Sequence, residues 1–426
     1  MLFSSHKQKI SRLMVFLCCV IAFSSHSKEL YVYKGNNSPE TANKAILSLP
    51  LLTLKNFKFA GAFRVPDKPY GDSNLNFNSG VFTFSESGQS IFIMGHGHQN
   101  AIAEISLPKL KYSFNIDVLN EASFIQPFSE MLKRITDNPQ GLDGISGMVA
   151  HDGGIFVNAI EYYDASADNT QTSFFINSSS QLPSSSLSSL YSMEGKAHAS
   201  GWVSSIPDVW QELLGGTHIS GFASNIPINT RLSQGPTAFS FDLSKALENG
   251  PNKIIRTLRL LDYSLENMLH PDINNKTGSN KVWTEVSEAK YGFIVPGTST
   301  YAIFGINGGI DSGIGYKATR TDGSVCPGPC AFDPSDNYNF FWFYDVFDFL
   351  AVRRGDMQPY EVKPYLYGKL DVPFQYNHFH KKRTFMPING AAYNKKENRV
   401  YLSISGAGQQ SRFSSTPVMV GYDISF

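Results

Sequence analysis

One unit recurs along this chain, and it constrains the fold more than any other feature. A glycine opens a short apolar strand, a polar turn leads to a second apolar strand, and a third strand follows after a polar loop. The unit reads as Gly80 to Phe84, Ser90 to Met94 and Ala101 to Ile105. It returns as Gly147 to Ala150, Gly154 to Val157 and Phe174 to Asn177. It appears again as Gly292 to Val295, Tyr301 to Phe304 and Phe341 to Asp345, and last as Gly390 to Tyr393, Arg399 to Leu402 and Val420 to Asp423. Ala238 to Asp242 has the form of a closing strand whose own earlier strands carry no clear signal. Short strands separated by turn signals imply an all-β fold. Repetition of a small sheet that buries both faces against its neighbours implies a β-propeller. The opening glycines lie 67, 145 and 98 residues apart. Taken as missed blades and long loop insertions, those gaps predict six to eight irregular blades, with seven expected. The segment Phe57 to Phe63 is expected to complete a blade with the terminal strand Val418 to Ile424 and so close the ring.

Composition agrees with this architecture. Phe (32), Tyr (20), Gly (35) and Pro (22) suit strands and turns, and 13% aromatic residues supply too much burial surface for a disordered chain. Lys+Arg and Asp+Glu balance at 36 each across 426 residues, which excludes a nucleic-acid binder acting through bulk charge. The N-terminus carries Lys7, Lys9 and Arg12, then an apolar run from Leu13 to Phe23, then small residues Ser25 and Ser27. That is the form of a secretory signal peptide over residues 1–27. The reading implies an exported protein, periplasmic or secreted, in which residues 28–426 form one monomeric propeller domain. That segment would carry a net charge of −3 and no membrane span.

Helices are predicted only at Pro207 to Leu214, ended by Gly215, and around Val346 to Val352. The serine-rich stretch Ser178 to Ser192 reads as a flexible surface loop. Cys326 and Cys330, in Cys-Pro-Gly-Pro-Cys, fit a disulfide that pins a tight loop in an oxidising compartment. The other reading is half of a zinc site whose remaining ligands come from elsewhere.

In every unit the loop after the second strand should emerge on one face of the ring, and binding residues concentrate on such loops. His96, between two glycines, and His98 lie on the first of these. They suit local hydrogen bonding in a turn, proton transfer or metal binding. His151, in the turn of the opposite end, reads as structural. Tyr162 and Tyr163 begin the corresponding loop of the second unit and suit packing, substrate contact or proton transfer. Arg231 precedes a closing strand and offers a fork for a carboxylate or sulfate, or for an internal ion pair. His378, His380 and Lys381 belong to a cationic run that would attract a polyanion, or lie solvated. An acidic polysaccharide is the polyanion that fits an exported protein. Signatures of serine hydrolases, zinc proteases, P-loops and dinucleotide binding are absent.

The runs Phe59-Ala60-Gly61-Ala62-Phe63-Arg64-Val65-Pro66, Gly95-His96 followed by Ala103 to Pro108, and Arg231 to Phe239 resemble those of exported bacterial β-propeller proteins of mostly unassigned function. More distantly, the layout is similar to the seven-bladed propeller polysaccharide lyases of the ulvan lyase type. That resemblance implies β-elimination on a uronate-containing glycan, with His and Tyr as base and acid and an Arg offsetting the carboxylate charge. Carried over, it gives those roles to His96 or His98, Tyr163 and Arg231, with no cofactor specified. The alternative expectation is a propeller without catalysis that binds glycan, protein or an envelope partner.

Overall fold

The structure is a computed structural model, and it describes residues 46–164, 166–222, 233–315, 333, 335–376, 385–409 and 414–426. Strands gather into five antiparallel four-stranded sheets. Blade one is β2 (Phe82–Phe84), β3 (Ser90–Met94), β4 (Ala101–Ser106) and β5 (Phe124–Glu130). Blade two is β6 (Gly144–His151), β7 (Gly154–Ile160), β8 (Gln171–Ile176) and β9 (Tyr191–Ser192). Blade three is β10 (Val203–Ser205), β11 (His218–Ser220), β12 (Ala238–Phe241) and β13 (Leu258–Leu261). Blade four is β14 (Glu288–Ile294), β15 (Thr300–Gly308), β16 (Asn337–Asp345) and β17 (Leu366–Lys369). Blade five is β18 (Ile388–Asn394), β19 (Arg399–Ile404), β20 (Val418–Ile424) and, on its outside, β1 (Phe57–Arg64).

The first strand of each blade is innermost, and these five strands abut in turn around the axis. The ring closes where β1 pairs with β20, from Phe57 opposite Ile424 to Arg64 opposite Val418, as the sequence predicts. Closing the ring by strand pairing ties the two ends of the propeller together and leaves only the short edges of the individual blades.

The expected seven blades are five. The 145-residue gap holds a single blade, because β10 and β11 have three residues each and give no readable run. The 98-residue gap holds only the rest of blade four, whose β15–β16 connection is long and whose third strand is followed by the helix Val346–Arg354. The four units and the lone closing strand seen in the sequence therefore account for all five blades, and only β10, β11 and the outer strands of blades one to four carry no signal. Those outer strands bury less and so give no apolar run, as in β17, none of whose four residues is buried.

Both predicted helices form. Asp208–Leu214 ends at Gly215 with φ of 70°, and Val346–Arg354 starts at Asp345, whose carboxylate accepts from the Phe347 N–H at 3.0 Å. The serine-rich stretch is a packed connection rather than a loose loop: Leu182 and Leu190 are buried in the core between blades one and two. Among the described residues, no helix is long and apolar enough to cross a membrane. The predicted signal peptide lies outside the described residues.

The recurring glycine has a packing cause near the axis. A Cβ on Gly80 would collide with the Asn389 carbonyl, and one on Gly390 with the Gly80 carbonyl. A Cβ on Gly147 would likewise strike the Gly201 carbonyl. Only glycine lets the backbones of neighbouring blades come this close.

Candidate functional site

Strands run outward from the axis and alternate in direction. The connections from second to third strand, and from each outer strand to the next inner one, therefore share a face. Of the sequence-predicted site residues, the four that are described fall in such connections. Arg231, His378, His380, Lys381, Cys326 and Cys330 lie outside the described residues. His96, His98, Tyr162 and Tyr163 are described.

His96 and His98 occupy the β3–β4 turn. The His96 N–H donates to the Asn74 carbonyl at 2.8 Å, and the two imidazole centroids are 5.1 Å apart. Exposed Phe77 packs edge-on against His96 at 6.1 Å. Burial first, and then His98 beside it, hold His96 below the ordinary histidine value of 6.5. The His98 N–H donates to His96 Nδ1 at 3.3 Å, so the neutral ring carries its proton on Nε2. Gly95 serves packing, since a Cβ there would strike Ser73 and Phe128, whereas Gly97 opens to free space.

Tyr162 and Tyr163 start the β7–β8 loop and pack edge-on, with centroids 4.8 Å apart and exposures of 42% and 61%. The Tyr162 N–H donates to Asp143 Oδ1 at 2.8 Å. Tyr162 also reaches the wall of a cavity of about 240 Å³ on the propeller axis, which all five inner strands line.

His151 occupies the β6–β7 turn on the other face. Its Nε2 meets Ser244 Oγ at 3.0 Å and its ring stands edge-on to His218, in keeping with a structural role.

The sequence reading missed a histidine on the site face. His198 sits in the turn Lys196–Ala199, in the β9–β10 connection, and Asp262 directly follows β13. His198 Nδ1 and Asp262 Oδ1 are 2.6 Å apart, and both side chains are largely buried. Arg259 Nε holds the other carboxylate oxygen at 2.6 Å. An ionised carboxylate only accepts, so Nδ1 is the protonated nitrogen and the lone pair sits on Nε2. Among the described residues Nε2 has no hydrogen-bond partner. The adjacent Ala197 packs with Phe222 and Ile160, and both of these wall the axial cavity. No sequence pattern announces the pair, because its members are 64 positions apart. Among the described residues, no group of three or more His, Cys, Asp and Glu is arranged to hold a metal ion.

No protein family matches this chain, and no curated protein does. Among solved structures, the PQQ-bound aldose sugar dehydrogenase of Streptomyces coelicolor is similar at 10% identity and a TM-score of 0.32, covering 84% of this chain and 98% of that one. Drosophila semaphorin 1a, extracellular domains 1–2, is similar at 11% identity and a TM-score of 0.29, covering 82% of this chain and 52% of that one. Likeness this slight carries nothing about activity, and the five sheets themselves establish a β-propeller.

Proposed function

We propose that the protein binds a uronate-containing polysaccharide on the face that carries His96, Tyr162 and His198, and cleaves it by β-elimination. The observation that carries this reading is the His198–Asp262 pair at 2.6 Å, whose histidine directly follows Ala197, a residue packed with Phe222 and Ile160 of the axial cavity wall. In β-elimination a base takes the proton on the carbon next to the carboxylate, a C=C bond forms, and the glycosidic C–O bond breaks as its oxygen gains a proton. His198 is the base, since Asp262 fixes its tautomer and stabilises the imidazolium that forms. His96, with its proton on Nε2, or Tyr163 is the donor to the leaving oxygen. Tyr162, Tyr163 and Phe77 offer exposed rings for sugar faces. Arg231 keeps the role implied by the resemblance, offsetting the carboxylate charge.

The experiment is incubation of the purified protein with a panel of uronate polysaccharides, ulvan among them, following the ultraviolet absorbance of the unsaturated product. A rise with at least one polymer is expected, and a folded sample that gives none with any would refute cleavage. Blade count favours a second reading, since the lyases that the sequence resembles have seven blades and this ring has five. In that reading the same face binds the polymer without cutting it, and retention of a polymer on the protein with no absorbance change would establish it.

A further inference from the structure

The axial ring repeats a small polar residue followed by glycine: Ser79-Gly80, Ser146-Gly147, Ser200-Gly201 and Asn389-Gly390. The fourth blade departs from the repeat with Glu288-Ala289-Lys290, and both charged side chains line the cavity. Lys290 Nζ bonds the Glu288 carboxylate, and the two side chains are only 20% and 15% exposed. Withdrawing a charge pair from water is costly, and apolar substitutes are often as stable. Ring closure does not explain the pair, because four blades close with a neutral polar residue and glycine. Among the described residues each has only the other as a side-chain partner. Two Lys290 donors and one Glu288 oxygen are thus left for whatever enters the cavity.

We propose that this cavity binds one sugar acid, with its carboxylate on Lys290 and a hydroxyl donating to Glu288. The proposal rests on the polysaccharide reading and deepens it: the cavity takes a terminal uronate residue, so the polymer is engaged at a chain end. The space, about 240 Å³, equals roughly eight waters at ~30 Å³ each, which suits a single sugar ring. Tyr162, on the cavity wall and 42% exposed, connects this space to the outer face.

The test is titration calorimetry of the full chain with free glucuronate, with glucose and with inorganic sulfate. Glucuronate is expected to bind, and glucose and sulfate to bind at least about tenfold more weakly, the worth of one charge-assisted hydrogen bond. Lys290→Met should weaken glucuronate by about tenfold or more. Glu288→Gln, which frees Lys290 from its internal partner, should bind glucuronate at least as tightly as the wild type. A merely structural pair would instead lose binding and thermal stability in both variants, which overturns the proposal. Sulfate binding as tight as glucuronate, or no glucuronate binding by the folded wild type, also overturns it. Polymer retention and cleavage are measured on the same samples. Action on the polymer without binding of free glucuronate sinks the cavity site alone, and binding of glucuronate without any action on polymer sinks the polysaccharide reading.

Discussion

At the scale of residues, two histidines on one face differ in where their proton sits. Nδ1 of His96 accepts from a backbone N–H, and Nδ1 of His198 donates to a carboxylate. The sequence draws attention to the first, through its flanking glycines, and hides the second, whose partner lies 64 positions on, past the outer strand of blade three. The glycine signal was half misleading, since Gly95 answers a packing demand from Ser73 and Phe128. A third histidine shows what burial alone does. His218 meets Thr217 Oγ1 at 2.9 Å, and desolvation, with His151 nearby, lowers its pKa to about 3. An unfolded histidine takes up a proton below about 6.5, while the folded one stays neutral. No stability is lost above that value. Below it stability falls by at most about 1.4 kcal/mol per pH unit, until the folded group also titrates near 3. Urea unfolding of the wild type and His218→Gln at pH 7, 6 and 5 is expected to show the steeper fall in the wild type. Parallel curves would contradict the assignment.

At the scale of elements, neighbouring blades are tied by a repeated amide clamp. Asn100 Nδ2 donates to the Asp143 carbonyl at 2.6 Å, and its Oδ1 accepts from the Ile145 N–H at 2.9 Å, which fixes the entry to β6. Asn339 treats β18 in the same way, donating to the Met386 carbonyl at 3.3 Å and accepting from the Ile388 N–H at 2.6 Å. Both asparagines are buried at the start of a third strand. Asn339→Ala removes the two bonds and leaves backbone groups unpaired, at a cost of about 1–3 kcal/mol. Chemical denaturation should find that loss, and a change below about 0.5 kcal/mol would show that the clamp carries no weight. This level of order was only partly legible beforehand. The opening glycine marked the inner strands of three blades, because a backbone from a neighbouring blade passes where its Cβ would be. At Gly292 the obstacle is Tyr301 of its own blade, so the same letter marked a different contact. Blade three showed only its strand β12, because β10 and β11, of three residues each, show no periodicity.

At the scale of the whole molecule, the sequence revealed the propeller and its closure but overcounted the blades. Spacing between repeats measures loop length as well as blade number, and the β15–β16 and β13–β14 connections are long. The pairing of β1 with β20 was readable because both strands are apolar and sit near opposite ends of the described chain. Cleavage of a uronate polymer by His198 is the claim on which the rest depends. The measurement that tests it most directly compares wild type, His198→Ala and Asp262→Asn in the absorbance assay, with polymer retention recorded in parallel. The expected result is a rise in the wild type, its disappearance in His198→Ala, a loss of about a hundredfold or more in Asp262→Asn, and retention unchanged in all three. A rise that survives in His198→Ala would contradict the assignment of the base. No rise in a wild type that retains the polymer would show that this propeller binds its glycan without cutting it.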